Sequence, residues 1–235
     1  MIVSVHQAQY LPWLGYFAKI AQSDCFIFLD CVQYKHREYQ NRNRIQTASG
    51  ALWLTVPVIT KGNHEQLISQ VRIDNSSRWQ AKHWQSIYAA YKKAPYFSEY
   101  ADFFNDLYNN RDWTQLTELN VAIITYLLDV LHIKTALLFE SALGSEKTST
   151  ERIIDLCKKV NAQAYLSGSG GKQYLIEQRF QDEQLGLYYQ HYQHPVYNQH
   201  NKAKKDFCPY MSVIDLLFNC GADSQQILCN ELGEI

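Results

Sequence analysis

Three short stretches gather the side chains that could do chemistry. "HQAQYLPWLGYF" (6–17) sets His6, Gln7, Gln9 and Tyr10 ahead of Pro12 and Trp13. "DCVQYKHREYQNRNRI" (30–45) follows Asp30 with Gln33, Lys35, Asn41, Arg42 and Arg44. "SGSGGKQY" (167–174) places Ser167, Gly168, Ser169, Gly170 and Gly171 before Lys172 and Tyr174. Histidine titrates near neutrality, so His6 suits a general base or a donor to phosphate, and equally a structural strand-end residue. Asp30 can bind a hydroxyl, an amine or a metal, and stands with His6 as the second catalytic candidate, although Asp is also common in strand-end turns. The paired arginines suit bidentate contact with phosphate or carboxylate. Small residues in the glycine loop let backbone N–H groups approach an anion, or simply make a tight turn. Gln7, Gln9, Tyr10 and Trp13 of the first stretch, Gln33, Asn41 and Arg42 of the second, and Ser167 to Lys172 with Tyr174 of the third are expected to bind substrate.

A fourth stretch, "HYQHPVYNQHNKAKK" (191–205), collects His191, His194, His200 and Tyr197. Its spacing matches no zinc signature, so it reads as a loop folding over a substrate, with His194 and Tyr197 as contacts and no metal.

The elements around these clusters predict where they sit. "IVSV" (2–5) is a short β-branched strand, and "PWLGYFAKIAQ" from Pro12 has apolar residues at helical spacing. "CFIFLD" (25–30) is a second buried strand, so the opening is a βαβ unit, which requires a parallel sheet. The basic stretch 32–46 reads as a loop or exposed hairpin, "ALWLTVPVI" (51–59) as an edge strand, and "LISQVRID" (67–74) as another strand. Three helices with apolar faces fill about 77–132. "TALLFES" (135–141) returns to strand, "TSTERIIDLCKKVNA" is a helix, and "AYLSGSGG" is a strand running into the glycine loop. "KQYLIEQRFQ" is helix-like, "LGLYYQHY" (185–192) alternates as a strand, and "SVIDLLFNCG" is a buried helix stopped by Gly221. The expectation is one α/β domain over 1–235, a mostly parallel sheet flanked by helices, with a helical insertion in the middle of the chain. Ligands of such sheets sit beyond the carboxyl ends of the strands, where the first three clusters fall.

Composition narrows the partners. Lys+Arg 22 against Asp+Glu 23 leaves a net charge of −1, which offers no general attraction to nucleic acid or an anionic membrane. Seventeen tyrosines suggest a semi-polar binding surface as well as a core. Six cysteines without a C-x-x-C pair indicate reduced thiols rather than a disulfide framework or zinc site. No signal peptide or bilayer-length apolar run is apparent, so a cytoplasmic location is expected.

"LPWLGYF" is similar in layout to the P-x-H-x-G-H pattern of class-I synthetase-like nucleotidyl transferases, but Trp13 and Tyr16 stand where that pattern has histidines. A broader resemblance is carried by "HQAQYLPWLGYF", "DCVQYKHREYQNRNRI", "LTVPV", "AYLSGSGGKQYL", "HPVYNQ" and "MSVIDLLFNCG", which together resemble the WbqC-like proteins almost end to end. That resemblance implies a bacterial transferase, glycine- or acyl-transferring, acting on a sugar or related precursor of surface-polysaccharide biosynthesis. Its expected partners are a nucleotide-linked or lipid-linked sugar and an activated amino-acid or acyl donor, with tRNA as the one nucleic-acid donor to consider. The cofactor is unspecified. The alternatives are a nucleotidyl or adenylate-forming enzyme and a non-catalytic binding protein of a biosynthetic complex.

Overall fold

The structure, a computed structural model, describes residues 1–63, 65–200 and 207–230. Five strands form one parallel sheet: β1 (Ile2–His6), β2 (Cys25–Phe28), β5 (Ala136–Phe139), β6 (Ala164–Ser167) and β7 (Gly186–Tyr189), in the order β5-β2-β1-β6-β7. The central strand pairs with β2 on one side (Val3 with Cys25 through His6 with Phe28) and with β6 on the other (Ile2 with Ala164 through Ser4 with Leu166). Chain order therefore runs outward from β1 in one direction and then restarts on its other side. The switch point lies between β1 and β6, the place where such sheets leave a crevice.

Alternation along the strands assigns each face its cover. Phe26 and Phe28 join a core with helices α1 (Leu14–Ala21), α2 (Trp79–Tyr91), α3 (Phe97–Asn109), α4 (Leu116–Val130) and α8 (Val213–Cys220). Val3, Val5, Cys25 and Ile27 face the other way, onto α6 (Ser149–Lys159) and Phe180 of α7 (Glu177–Asp182). A short α5 (Glu140–Leu143) continues from β5, and α9 (Asp223–Asn230) follows α8. The fold is α/β, with both faces of a parallel sheet covered, and the predicted helices of the 77–132 region are α2, α3 and α4.

Two expectations change. The 32–46 and 51–59 stretches meet as an antiparallel hairpin of β3 (Arg42–Thr47) and β4 (Gly50–Thr55), separate from the main sheet. "LISQVRID" is not a strand: Ile68–Gln70 is a 3-10 turn, and among the described residues the segment makes isolated bridges, Gln33 with Leu67, Val58 with Ile73 and Arg72 with Gln115. Its apolar residues Ile68, Val71 and Ile73 are buried instead by the irregular chain around them and α4.

The opening helix also starts later than the sequence suggests. Trp13 is the residue before α1, and the carbonyl of Pro12 accepts from Val213 N–H at 2.8 Å. Leu11, fully buried with φ +44, makes the tight turn from β1, and Asn43 Nδ2 donates to its carbonyl at 2.6 Å. At the C-terminal side the reading holds, since Gly221 ends α8 at φ +56; the structure adds a side-chain cap from Ser212 at its start.

Candidate functional site

A cavity of about 460 Å³ opens at the switch point. Its walls come from the end of β1 (His6), the first turns of α1 (Trp13, Gly15, Tyr16, Lys19), the loop after β6 (Gly168, Ser169, Gly170) and the segment after β7 (Gln190 to Gln193). The sequence places these groups far apart, and the parallel pairing of β1 with β6 brings them together. Gln190 fastens the arrangement: its backbone N–H donates to Ser167 O at 2.8 Å and its Nε2 to Gly15 O at 3.0 Å.

Glycine at position 15 has a steric reason. A Cβ there would lie 2.2 Å from the Trp13 indole, so the ring can lie over α1 only because position 15 has no side chain. The indole contacts the rings of Tyr192 and Tyr210, each at 5.8 Å. On the far side, Gly171 is buried under the loop, where a Cβ would strike Ser167 Oγ, whereas Gly168 and Gly170 face open space.

The electrostatics are one-sided. Lys19, on an otherwise apolar helix, is only 3% exposed; its Nζ donates to Val5 O at 3.2 Å. No carboxylate pairs with it, and none lines the cavity, among the described residues. Burial without a counter-ion pushes its pKa down to about 7. His6 Nδ1 lies 3.1 Å from Gln7 O, and because a carbonyl only accepts, Nδ1 carries the proton and Nε2 holds the lone pair. Burial first, then the Lys19 charge, lowers the His6 pKa to about 3, so the ring is neutral at pH 7. Tyr16 closes the group, its hydroxyl donating to Gln7 O at 3.1 Å. The start of α1 has no side-chain cap, so the positive end of the helix dipole adds to the potential at the same wall. A buried cation, an uncapped helix start and a neutral imidazole with no acid between them suit an anion beside a group that must lose a proton.

The other predicted residues divide. Gln7 and Gln9 line a second cavity that shares His6 with the first. Tyr10 turns away from both: it is fully buried, bonded to His83 Nδ1 at 2.8 Å and to the Tyr108 hydroxyl. Asp30 does not join His6. Its carboxylate accepts from the N–H of Ser141 at 2.9 Å and from its Oγ at 2.6 Å, fixing the β2 end to α5. Asp30, Cys31 and Glu140 do cluster, but the Arg152 guanidinium stands 3.2 Å from Glu140, and burial with the neighbouring carboxylates pushes the Cys31 thiol up to about 11. A protonated thiol and a resident guanidinium fit this cluster to an internal ion pair rather than to a divalent metal.

Asn41 is buried and donates to Val56 O at 2.8 Å, while Arg42 stacks on Trp53 at 4.5 Å. Gln33 is exposed and bridges to Leu67. Ser167 donates to Gly168 O at 3.0 Å, below the loop. Lys172 lies over the Tyr189 ring and Tyr174 is exposed, both outside the cavity lining. His194 accepts from Tyr210 N–H at 3.1 Å, and Tyr197 donates to Asp215. Lys202, Lys204 and Lys205 of the fourth stretch lie outside the described residues. The residue missed from the sequence is Lys19. Its signal was a lysine on the same face as Gly15 and Tyr16 in the apolar run "LGYFAKIA". Of the described thiols, none lines either cavity, and burial raises every one of the six.

The model of the WbqC-like protein family matches residues 7–227, a span that runs from the β1 end through both cavities to α9. The chain belongs to the WbqC-like protein family. Similarity extends to the uncharacterized protein Rv1507c of Mycobacterium tuberculosis, 34% identical over 226 residues, covering 96% of each chain. No solved structure matches. Among the described residues of this WbqC-like chain, no helix is long and apolar enough to cross a membrane.

Proposed function

We propose that this protein is a transferase that moves a glycine-like amino-acyl group, or another acyl group, from a phosphate-linked activated donor to a sugar or related precursor of surface-polysaccharide type. The observation that carries the reading is Lys19: a buried ammonium with no counter-ion, at a switch-point cavity shared with His6. A buried charge left without a partner is destabilising, and an anionic ligand is the partner that removes the penalty. Trp13, Tyr16 and Tyr192 offer ring faces for the remainder of a donor.

The chemistry follows from the two basic groups. A hydroxyl or amine of the acceptor forms a bond to the donor's carbonyl carbon while its proton passes to His6 Nε2. The tetrahedral oxyanion collapses, the bond from carbonyl carbon to phosphate oxygen breaks, and the phosphate leaves with the electron pair. Lys19, held protonated by that phosphate, stabilises both the oxyanion and the leaving group, the electrostatic contribution on which acyl transfer most depends. Phosphate binding also offsets the Lys19 charge that depresses His6, so the imidazole becomes a better base in the loaded site than in the empty one.

Sulfate tests the anion subsite because its charge is constant across the relevant pH range. Calorimetric titration at pH 6 is expected to show binding that weakens as pH rises past about 7, where Lys19 loses its proton, and that falls about hundredfold in Lys19→Met. Transfer from glycyl-adenylate to a mixture of monosaccharides, read by mass spectrometry, is expected to drop at least about hundredfold in His6→Gln. Sulfate binding that is absent, or indifferent to Lys19→Met, overturns the anion subsite. Pyrophosphate release from ATP without acyl transfer would instead favour the nucleotidyl reading, which draws on the same subsite.

A further inference from the structure

The solvent face of the β3–β4 hairpin carries a cluster that the cavities do not explain. Register sets Arg44 directly across from Trp53 and Arg42 across from Thr55, so these four side chains stand on one face. Asn43, Ile45 and Leu54, which alternate with them, are buried, and this fixes the outward direction of the four. Both guanidinium groups lie against the indole, Arg42 at 4.5 Å and Arg44 at 5.5 Å from the ring, yet Trp53 is still 42% exposed. Exposed rings continue on either side. Tyr39 lies 6.0 Å from Trp53. Tyr210 accepts from Arg44 Nη2 on its carbonyl at 3.4 Å, and its ring lies 5.8 Å from Trp13, which lines the larger cavity.

The same region concentrates positive charge. Residues 34–44 hold Lys35, Arg37, Arg42 and Arg44 against Glu38 alone, in a chain whose net charge is −1. Neither Arg42 nor Arg44 forms an ion pair among the described residues; Arg42 Nη2 donates to the carbonyl of Arg37. The chain as a whole does not attract a polyanion, but this face does.

Rings set among guanidinium groups match a polymer that alternates bases with phosphates. Every base has a face that stacks on an aromatic ring, and arginine matches phosphate with two parallel donors. Bases reach exposed rings only when unpaired, so the polymer is single-stranded. An anionic membrane calls for apolar groups at the projecting end, whereas the hairpin turns through Thr47, Ala48, Ser49 and Gly50. An acidic peptide would leave the rings without stacking partners. Thr55 is exposed beside Arg42, and its hydroxyl can both donate to and accept from a ribose 2′-hydroxyl, which favours RNA over DNA.

We infer that this face binds single-stranded RNA, with bases stacked on Trp53 and Tyr39 and phosphates held by Arg42 and Arg44. The inference goes beyond the transfer reading and rests on none of it.

Fluorescence anisotropy with a labelled oligouridylate of about twelve nucleotides tests the assignment. Binding is expected at about 50 mM salt and should weaken about sevenfold at about 200 mM, the loss for two phosphate contacts on a single strand. Trp53→Ala is expected to lose about tenfold in RNA affinity while Lys19-dependent sulfate binding stays within about twofold. Arg42→Gln combined with Arg44→Gln should also weaken binding and flatten its salt dependence, a change that loss of folding alone would not produce. The deoxyuridine strand of equal length is expected to bind about fivefold more weakly. No RNA binding at the lower salt, or indifference to both variants, overturns the inference. Equal affinity for the deoxy strand overturns the commitment to RNA. Attachment to vesicles of phosphatidylglycerol and phosphatidylcholine, by a protein that ignores the oligouridylate, would overturn it in favour of a membrane.

Discussion

Asp215 and Lys19 each bury a charge without a counter-ion among the described residues, and the chain treats them in opposite ways. Asp215 on α8 is 0% exposed and accepts three hydrogen bonds: Tyr91 Oη at 2.8 Å on one oxygen, Tyr197 Oη and Gln199 Nε2, both at 2.8 Å, on the other. Tyr91 in turn accepts from Gln46 N–H at 3.0 Å, so α2, α8, β3 and the 197–199 segment meet on one carboxylate. Lys19 Nζ donates to a backbone carbonyl and lies over the Phe26 ring at 5.9 Å, with no anion beside it among the described residues and an open cavity on its other side. A charge enclosed by donors is architecture. A charge held against empty space is a demand for a ligand, and natural proteins keep such local destabilisation chiefly where function needs it.

The contrast is broken most forcefully at Asp215. Asp215→Ala leaves two hydroxyls and an amide aimed at nothing in a closed interior, and is expected to destabilise the protein by about 4 kcal/mol. Urea denaturation would read this directly. A loss below about 1 kcal/mol would mean that water already satisfies those donors, and the distinction between the two charges would fail.

The two regions also differ in how far the sequence revealed them. "IVSV", "CFIFLD" and the glycine loop announced a parallel sheet with its ligand crevice at the strand ends, because hydrophobic period and turn chemistry are local properties. Gly221 marked the end of α8 for the same reason. Tyr10 misled because exposure is not local: a tyrosine just after a strand end reads as surface, yet His83 and Tyr108, 73 and 98 residues away, cover it. Asp30 misled in the same manner, since Ser141, which holds its carboxylate, lies 111 residues on. Lys19 was hidden by its context, because a lone lysine in an apolar helix reads as one whose stem lies along the helix with its head in water. "LISQVRID" has strand composition, but among the described residues it finds only isolated bridges and no strand to pair with, and composition alone cannot supply one.

A smaller and more specific effect follows from the Lys19 titration. Its folded pKa, about 7, lies below the ordinary 10.5, so between those values the unfolded chain binds the extra proton. Stability should therefore rise with pH across that window, by an amount on the order of 3 kcal/mol given the open side of the cavity. Because tyrosines also titrate there, the measurement is the difference between wild type and Lys19→Met, taken at pH 7 and again at pH 10. The substituted protein is expected to be at least as stable at pH 7 and to lack the rise. Parallel curves for the two proteins would show that Lys19 is already paired, and its likeness to Asp215 would be restored.

The finest division concerns Tyr197, which the sequence offered as a substrate contact and the fold offers to Asp215. Tyr197→Phe removes one of three donors and keeps the ring, so the carboxylate retains Tyr91 and Gln199. The expected cost is about 1.5 kcal/mol, the lower end for a hydrogen bond to a charged group. Burial already pushes the Asp215 pKa above its ordinary value and its donors oppose that shift, so losing one raises it further. A carboxyl whose folded pKa is raised loses stability as pH climbs above its unfolded pKa toward the folded one, so the deficit of Tyr197→Phe should shrink in acid. Sulfate affinity should not change, because Tyr197 belongs to the closed charge. A Tyr197→Phe protein with full stability and weakened ligand binding would move this residue from the architecture to the site, and the 191–200 segment with it.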